Sequence, residues 1–343
     1  MSKSIVSVLR AIEQSDAEQI RQELAAGGLP ADGTPECRFL HYAIIRGLHG
    51  PACALLDSGA DPRLMDEETG LTPLMQAAAH GRAQLVERLL PLSDPLQTDA
   101  KRGWSALFHA AANAHDRNGA CVWLLAPVSD LTLIDNQGLN ALHVAARAGS
   151  HEALPVLVEK IDLSLRDNHG KTALHWAARA VLAPKADSKA RMGLICLEKK
   201  MSAQAANIQD KTGRTAAMAL AEGGELALAE SMAREADLSL ETEEGKTLLM
   251  IVAKRAPHHF ARDGSADTPY LAQQRWRVLE RLAMRATDEQ IERIAGFPLR
   301  ERHAPRLRSR LEGLELRKAM ALAAHASEPS SSGEPPRAAT RRI

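Results

Sequence analysis

The chain has 343 residues, and its 43 basic and 43 acidic side chains cancel, which excludes a protein built to coat nucleic acid or an acidic membrane. That length exceeds one ordinary globular core, so two domains or an elongated array are expected. Hydrophobic residues make up 45% but aromatics only 3%, which suits short, closely stacked Ala- and Leu-rich helices better than a sheet sandwich.

The zero net charge hides an asymmetry. Residues 1–253 carry 25 Lys/Arg against 32 Asp/Glu, whereas residues 254–343 carry 18 against 11, so two different modules are expected. Cys37, Cys53, Cys121 and Cys196 are widely spaced with no C-x-x-C pair, and a disulfide or zinc framework is not expected. Met1 to Ile20 is interrupted by Arg10, Glu13, Asp16 and Glu18, leaving no apolar run for a signal peptide or membrane span. A cytoplasmic location is the expectation, with export read by other signals left open.

In chain order, residues 1–28 read as a helix pair: Val8, Leu9, Ile12, Ile20 and Leu24 form its apolar side, and Gly27-Gly28 ends it. From 29 to 255 one frame then recurs. It reads Gly70-Leu-Thr-Pro-Leu-Met-Gln-Ala-Ala, Gly103-Trp-Ser-Ala-Leu-Phe-His-Ala-Ala, Gly138-Leu-Asn-Ala-Leu-His-Val-Ala-Ala and Gly170-Lys-Thr-Ala-Leu-His-Trp-Ala-Ala. Weaker copies stand at Gly213 and Gly245, and an earlier one at Phe39-Leu40-His41-Tyr42-Ala43. Equivalent positions from Leu40 through Ala217 to Leu249 are 34, 33, 35, 32, 43 and 32 residues apart. An insertion at 181–190 accounts for the long interval, and a shorter one falls near His115 to Asn118.

The best-matched copy gives each position a physical role. Thr72 caps the first helix and Pro73 takes its first position, where a missing N–H costs nothing. Leu74, Ala77 and Ala78 share one face, and the alanines allow neighbouring helices to approach closely. Gly81 supplies a left-handed end. Val86, Leu89 and Leu90 form the stripe of a second, antiparallel helix.

This frame resembles the ankyrin repeat, whose signature is T-P-L-H-x-A at a period near 33. The resemblance implies an all-α solenoid: about seven stacked helix-turn-helix units with β-hairpin-like loops, capped by the pair at 1–28, because single repeats cannot bury their apolar faces. It further implies a partner-binding face made of hairpin tips and the exposed side of the first helices. In this sequence those positions include Arg102, Trp104, Asn136, Leu139, Arg147, His169, Lys171, Arg179 and Arg214. Trp104 and the arginines at 102, 147 and 179 are the expected anchors, packing of Trp104 on the adjacent hairpin being the equal alternative. Trp104→Ala and Arg147→Glu are accordingly expected to weaken partner binding and leave melting nearly unchanged. His143 and His175 occupy the signature histidine site, where the imidazole hydrogen-bonds backbone.

Beyond 255 the period is lost. Ala256 to Gly264 reads as a loop. Thr268-Pro269 opens a helix with Val278, Leu279, Leu282 and Ala283 on one face, and Thr287 to Gln290 is a capping-box start. A third helix is expected over Arg306 to Ala324. Residues 256–325 thus read as a small helical module, and 326–343 as a disordered tail. The run Arg300, Arg302, Arg306, Arg308 and Arg310 lacks interleaved aromatics and is a weak nucleic-acid signal.

No phosphate-binding loop, nucleophile elbow or His-Glu-x-x-His helix is present. His258-His259 and consecutive acids such as Asp66-Glu67-Glu68 read as solvated loop groups. The expectation is a non-enzymatic, monomeric interaction protein without cofactor or metal, binding another protein with an acidic segment. The alternative is a regulator, inhibitor or host-directed effector whose repeats target a second activity in the C-terminal module.

Overall fold

The computed structural model describes residues 3–34, 37–113, 119–184, 186–255, 269–295 and 305–326. The chain divides into two units, Met1–Leu248 and Leu249–Ile343.

The first unit opens with α1 (Lys3–Glu13) and α2 (Ala17–Gly27), the second capped by Asp16, which accepts from Glu18 N and Gln19 N. Gly28 ends the pair with φ 58°. A two-residue antiparallel pairing of β1 (Gly33–Thr34) with β2 (Cys37–Arg38) leads into α3 (Phe39–Arg46) and α4 (His49–Asp57). Helix pairs then repeat: α5 (Pro73–Ala79) with α6 (Ala83–Leu89), α7 (Ala106–Ala112) with α8 (Ala120–Leu125), and α9 (Ala141–Ala148) with α10 (Leu154–Val158). They continue with α11 (Ala173–Val181) and α12 (Ser188–Glu198), a single turn α13 (Ala203–Ala206), and α14 (Ala216–Glu222) with α15 (Leu226–Met232).

Two rows result. The first helices pack in the order α1, α3, α5, α7, α9, α11, α14, and the second helices run alongside as α2, α4, α6, α8, α10, α12. The alanine pairs explain the close approach: Ala110, Ala111, Ala145, Ala146, Ala177 and Ala178 are all buried, alongside Leu74, Leu107, Leu142 and Leu174. The start signals work as the sequence implies, with Thr72 Oγ1 accepting from Met75 N at 3.3 Å and Thr215 Oγ1 from Met218 N at 3.2 Å.

Between helix pairs the chain turns through hairpin-like tips, and successive tips are stitched by one backbone bond each. Asn136 N donates to Arg102 O (3.2 Å), Asn168 N to Gln137 O (3.2 Å), Lys211 N to His169 O (3.1 Å) and Glu243 N to Thr212 O (3.1 Å). A buried aspartate or its equivalent folds each tip: Asp135 Oδ1 accepts from Gln137 N and Leu139 N, Asp167 Oδ1 from His169 N and Lys171 N.

The long interval has a different distribution from that expected. Val181 still belongs to α11, and Asp187 caps α12 by accepting from Lys189 N and Ala190 N. Residues 182–187 therefore separate the two helices, and the remaining extra length is taken up by the longer α12 and by α13. The shorter insertion near His115 to Asn118 lies outside the described residues.

The second unit contains α16 (Leu248–Arg255), α17 (Pro269–Arg285), α18 (Asp288–Glu292) and α19 (Pro305–Ala326). The helix assigned from sequence to a seventh repeat, α16, thus falls almost wholly in this unit. The Thr287–Gln290 capping box forms as read. Here α17 and α18 both pack on α19. Arg310 donates to the carbonyls of Ala283 and Ala286 and to Asp288, while Arg308 pairs with Glu312 at 2.7 Å, so these two arginines are engaged inside the unit. Arg300 and Arg302, the loop at 256–264, and all of the expected tail but Ala326 lie outside the described residues.

Candidate interaction site

Two tryptophans organise the tips and first helices in the middle of the stack. Trp104 follows the frame glycine of one tip and is only 3% exposed. Its Nε1 donates to Asp135 Oδ2 in the next tip at 2.9 Å, and its ring meets His109 edge-on with centroids 5.4 Å apart. Trp176 sits on α11 and donates to Asp167 Oδ2 at 3.0 Å. Each aspartate therefore does two jobs, closing a tip with one oxygen and holding an indole with the other.

Cations cover both rings. Arg102 lies over Trp104 with its guanidinium carbon 4.6 Å from the ring centroid, and Arg147 reaches the same ring at 5.7 Å. Arg147 also lies 5.6 Å from the Trp176 centroid, which Lys171 and Arg179 approach at 5.4 and 5.3 Å. The result is a ladder, Arg102–Trp104–Arg147–Trp176–Arg179, spanning three repeats, held by the attraction of cations to ring faces. Among the described residues none of these four cations has a carboxylate within ion-pair distance. Burial pushes the Arg147 guanidinium below its usual pKa, and the neighbouring Arg102 and Arg179 charges push the same way against Asp135. Lys101, Arg102, Trp104, Asp135, Asn136, Gln137 and Arg147 line a cleft of about 270 Å³ at one end of the ladder.

The fold and this geometry can be set beside known proteins. A family model described as ankyrin repeats matches residues 40–128 and 114–183. The solved ankyrin repeat domain of Bcl-3, a member of the IkappaB protein family, covers 70% of this chain and is itself covered to 98%, with a TM-score of 0.51 at 21% identity. Residues 40–183 match ankyrin repeats. A probable 26S proteasome regulatory subunit, p28, from Saccharomyces cerevisiae is 33% identical over 108 residues, covering 31% of this chain and 46% of that protein. A probable E3 ubiquitin-protein ligase, XBOS32, from Oryza sativa subsp. japonica is 38% identical over 79 residues, covering 23% and 16%. The chain thus spans less than half the length of each of these relatives.

Within the ankyrin stack the residues expected at the partner face separate into two groups. Arg102, Asn136, His169 and Arg179 are exposed, and Arg147 and Lys171 are half-buried over the indoles. Leu139, in contrast, is fully buried and Trp104 nearly so. Neither faces a partner, which corrects the reading of both as contact residues: the tip folds back on itself, turning the position after the frame glycine inward. Arg214 is paired with Glu222 at 3.2 Å, and its carbonyl accepts from His175, so it closes the end of the cationic row. His169 stands at a tip, where its carbonyl accepts from Lys211 N. The sequence reading missed Asp135 and Asp167 as the supports of the site. The signal was present in the aspartate that recurs three or four residues before a frame glycine at 99, 135, 167 and 210.

The ankyrin histidines are structural. His175 Nδ1 accepts from Thr172 N (3.2 Å) and Nε2 donates to Arg214 O (2.9 Å); His143 makes the equivalent pair with Asn140 N (3.3 Å) and Lys171 O (3.1 Å). Each ring thus ties the start of its own helix to a later backbone carbonyl, and His143 Nε2 also lies 3.1 Å from Leu165 O. Burial pushes both pKa values down, against the raising effect of Asp167 and carbonyl partners at His143, and of the Arg214 carbonyl and Asp210 at His175. Because the unfolded imidazole titrates near about 6.5, the unfolded chain binds more protons below that pH, and stability falls as acid is added. The melting temperature is expected to drop between about pH 7.5 and 5.5, each histidine contributing up to about 1.4 kcal/mol per pH unit. A His143→Gln/His175→Gln variant should show a shallower slope in a pH series of thermal melts; an unchanged slope would assign the effect elsewhere. Among the described residues no group of His, Cys, Asp and Glu is placed to hold a metal ion, and no helix is long and apolar enough to cross a membrane.

Proposed function

We propose that the repeats form a non-enzymatic binding scaffold in which Arg102, Arg147, Lys171 and Arg179 receive an acidic segment of another protein. One observation carries this reading: four cations are gathered over two buried indoles, Arg147 and Lys171 half-buried and Arg102 and Arg179 exposed, and among the described residues none of the four is in an ion pair. A cluster of this kind is costly in isolation and gains most when a partner brings the opposite charge. Buried tryptophans fix where the guanidiniums point, so the charges are presented in a set geometry rather than on free side chains. Ankyrin repeats generally act by binding other proteins, and the two relatives bear names that place them among proteins acting on or with other proteins. The acidic end of the row, where Glu222 is matched by Arg214, limits the site to the central repeats.

The test is co-purification with the full chain from native lysate, followed by mass spectrometry, comparing the wild type with Arg147→Glu/Arg179→Glu. Arg179 is exposed and unpaired, and Arg147 contributes about 0.5–1 kcal/mol of ring contact, so melting should move by only a few degrees. Expected is loss of the acidic partners from the variant, and a steep weakening of wild-type capture with salt. Retention of the same partners by the folded variant would place the binding face elsewhere.

A further inference from the structure

Resting on the acidic-segment reading above, we infer that the cleft between Arg102 and Arg147 takes a phosphoryl group, so that the ankyrin stack distinguishes a phosphorylated acidic segment from its unmodified form. The argument starts from charge. Lys101, Arg102 and Arg147 all line one cleft of about 270 Å³. A carboxylate brings a single negative charge and two oxygens. A phosphoryl monoester brings about two negative charges at neutral pH and three terminal oxygens. Two guanidiniums and an ammonium lining one cleft match the second better than the first, with Lys101 Nζ also donating to Glu68 O at 3.0 Å, and guanidinium forks are suited to paired phosphate oxygens.

The uncharged rim fits the same ligand. The side-chain amides of Asn136 and Gln137 line the cleft beside the cations. Gln137 Oε1 takes a bond from Arg147 at 3.4 Å, so its amide nitrogen is not used in that contact. Asp135 also borders the cleft and is the one like charge an anion would meet. Its carboxylate is already held, however, by two backbone N–H groups and the Trp104 indole, and its charge acts on Arg147. It acts as the floor that orients the ring, while the ring orients both guanidiniums above it. The remainder of the ladder, Lys171 and Arg179 around Trp176, continues beyond the cleft and supplies cations for acidic residues flanking the modified one.

A nucleic acid could also present phosphates, but the surroundings oppose it. Single strands are held largely by stacking bases on accessible aromatic faces. Here Trp104 and Trp176 are 3% and 8% exposed, and their faces are covered by the cations themselves. The repeats as a whole are also acidic, with 25 basic against 32 acidic residues over 1–253, so a long polyanion is repelled outside the cluster.

The experiment uses the full chain and three synthetic peptides, Glu-Asp-Glu-Ser-Glu-Asp-Glu, its phosphoserine form and the form with Asp in place of Ser, titrated calorimetrically at low salt. The phosphoserine peptide is expected to bind about tenfold tighter than the Asp form, the difference of one or two charge-assisted hydrogen bonds. Arg102→Gln should erase that preference, whereas Arg179→Gln should weaken all three peptides alike. Equal binding of the phosphoserine and Asp forms overturns the phosphoryl site and leaves the acidic-segment reading standing. Failure of all three to bind overturns both. A single-stranded oligonucleotide that binds more tightly than the phosphopeptide would also overturn the assignment. Because Arg102 is exposed, its variant is expected to fold, and unchanged thermal melts will verify this before titration.

Discussion

Trp104→Ala is expected to destabilise the repeats by about 3–5 kcal/mol, the usual cost of removing a large buried aromatic. This is the opposite of what its place in the frame suggests, since the residue after a frame glycine sits at a hairpin tip. Three losses combine. The indole leaves a void beside Phe108 and His109, whose ring centroids lie 6.1 and 5.4 Å from its own. Asp135 Oδ2 loses its donor while remaining 8% exposed, and a buried acceptor without a partner is penalised by about 1–3 kcal/mol. Arg102 and Arg147 lose the ring that both lie over. Chemical denaturation followed by circular dichroism reads the change directly. Trp104→Phe, which keeps part of the ring volume but no N–H, should fall between the two. If Trp104→Ala melts like the wild type, the ring is not packed as described.

Gly213→Ala is expected to cost about 2–4 kcal/mol, although it adds a single methyl group. Gly213 has φ +74°, where a side chain is already strained. A Cβ there would lie 2.9 Å from both Glu243 N and Thr242 Cα and 3.0 Å from Glu241 O, all backbone atoms of the following tip. Backbone cannot rotate aside as a side-chain end can, so the two tips must separate, and the bond from Glu243 N to Thr212 O is lost with them. Gly70→Ala provides the control: its φ is +72°, but nothing lies within 4 Å of the added atom. That variant should show only the backbone strain of roughly 1 kcal/mol. Comparable losses for the two variants would mean that tip-to-tip contact contributes little. Stacked repeats depend on nearest-neighbour interfaces, so hydrogen exchange should place the Gly213 effect in the repeats that flank it.

Much of the fold was readable from residue order. The spacing of the frame, the Thr72-Pro73 start and the alanine pairs are local signals with fixed roles in helix capping and close packing, and the helix rows follow from them. The capping box at Thr287 was equally local. Where the reading failed, the deciding interaction joined residues far apart. Leu139 and Trp104 occupy tip positions whose side chains could point outward by periodicity alone, and only the fold of the tip around Asp135 turns them inward. The insertion was placed across 181–190 because counting residues reveals excess length but not whether a helix absorbs it, as α12 does after its Asp187 cap.

For the candidate site the division is sharper. The sequence by itself determined that arginines 147 and 179 recur at one frame position, just after the Ala-Ala pair, and that Arg102 precedes a frame glycine, because a constant period places equivalent residues in register. Only the tertiary structure decided that two buried indoles, each fixed by an aspartate, gather those cations into one ladder. Arg147 joins the two rings across 43 and 29 residues of chain, within about 6 Å of each, and no one-dimensional pattern records which ring such a guanidinium will find.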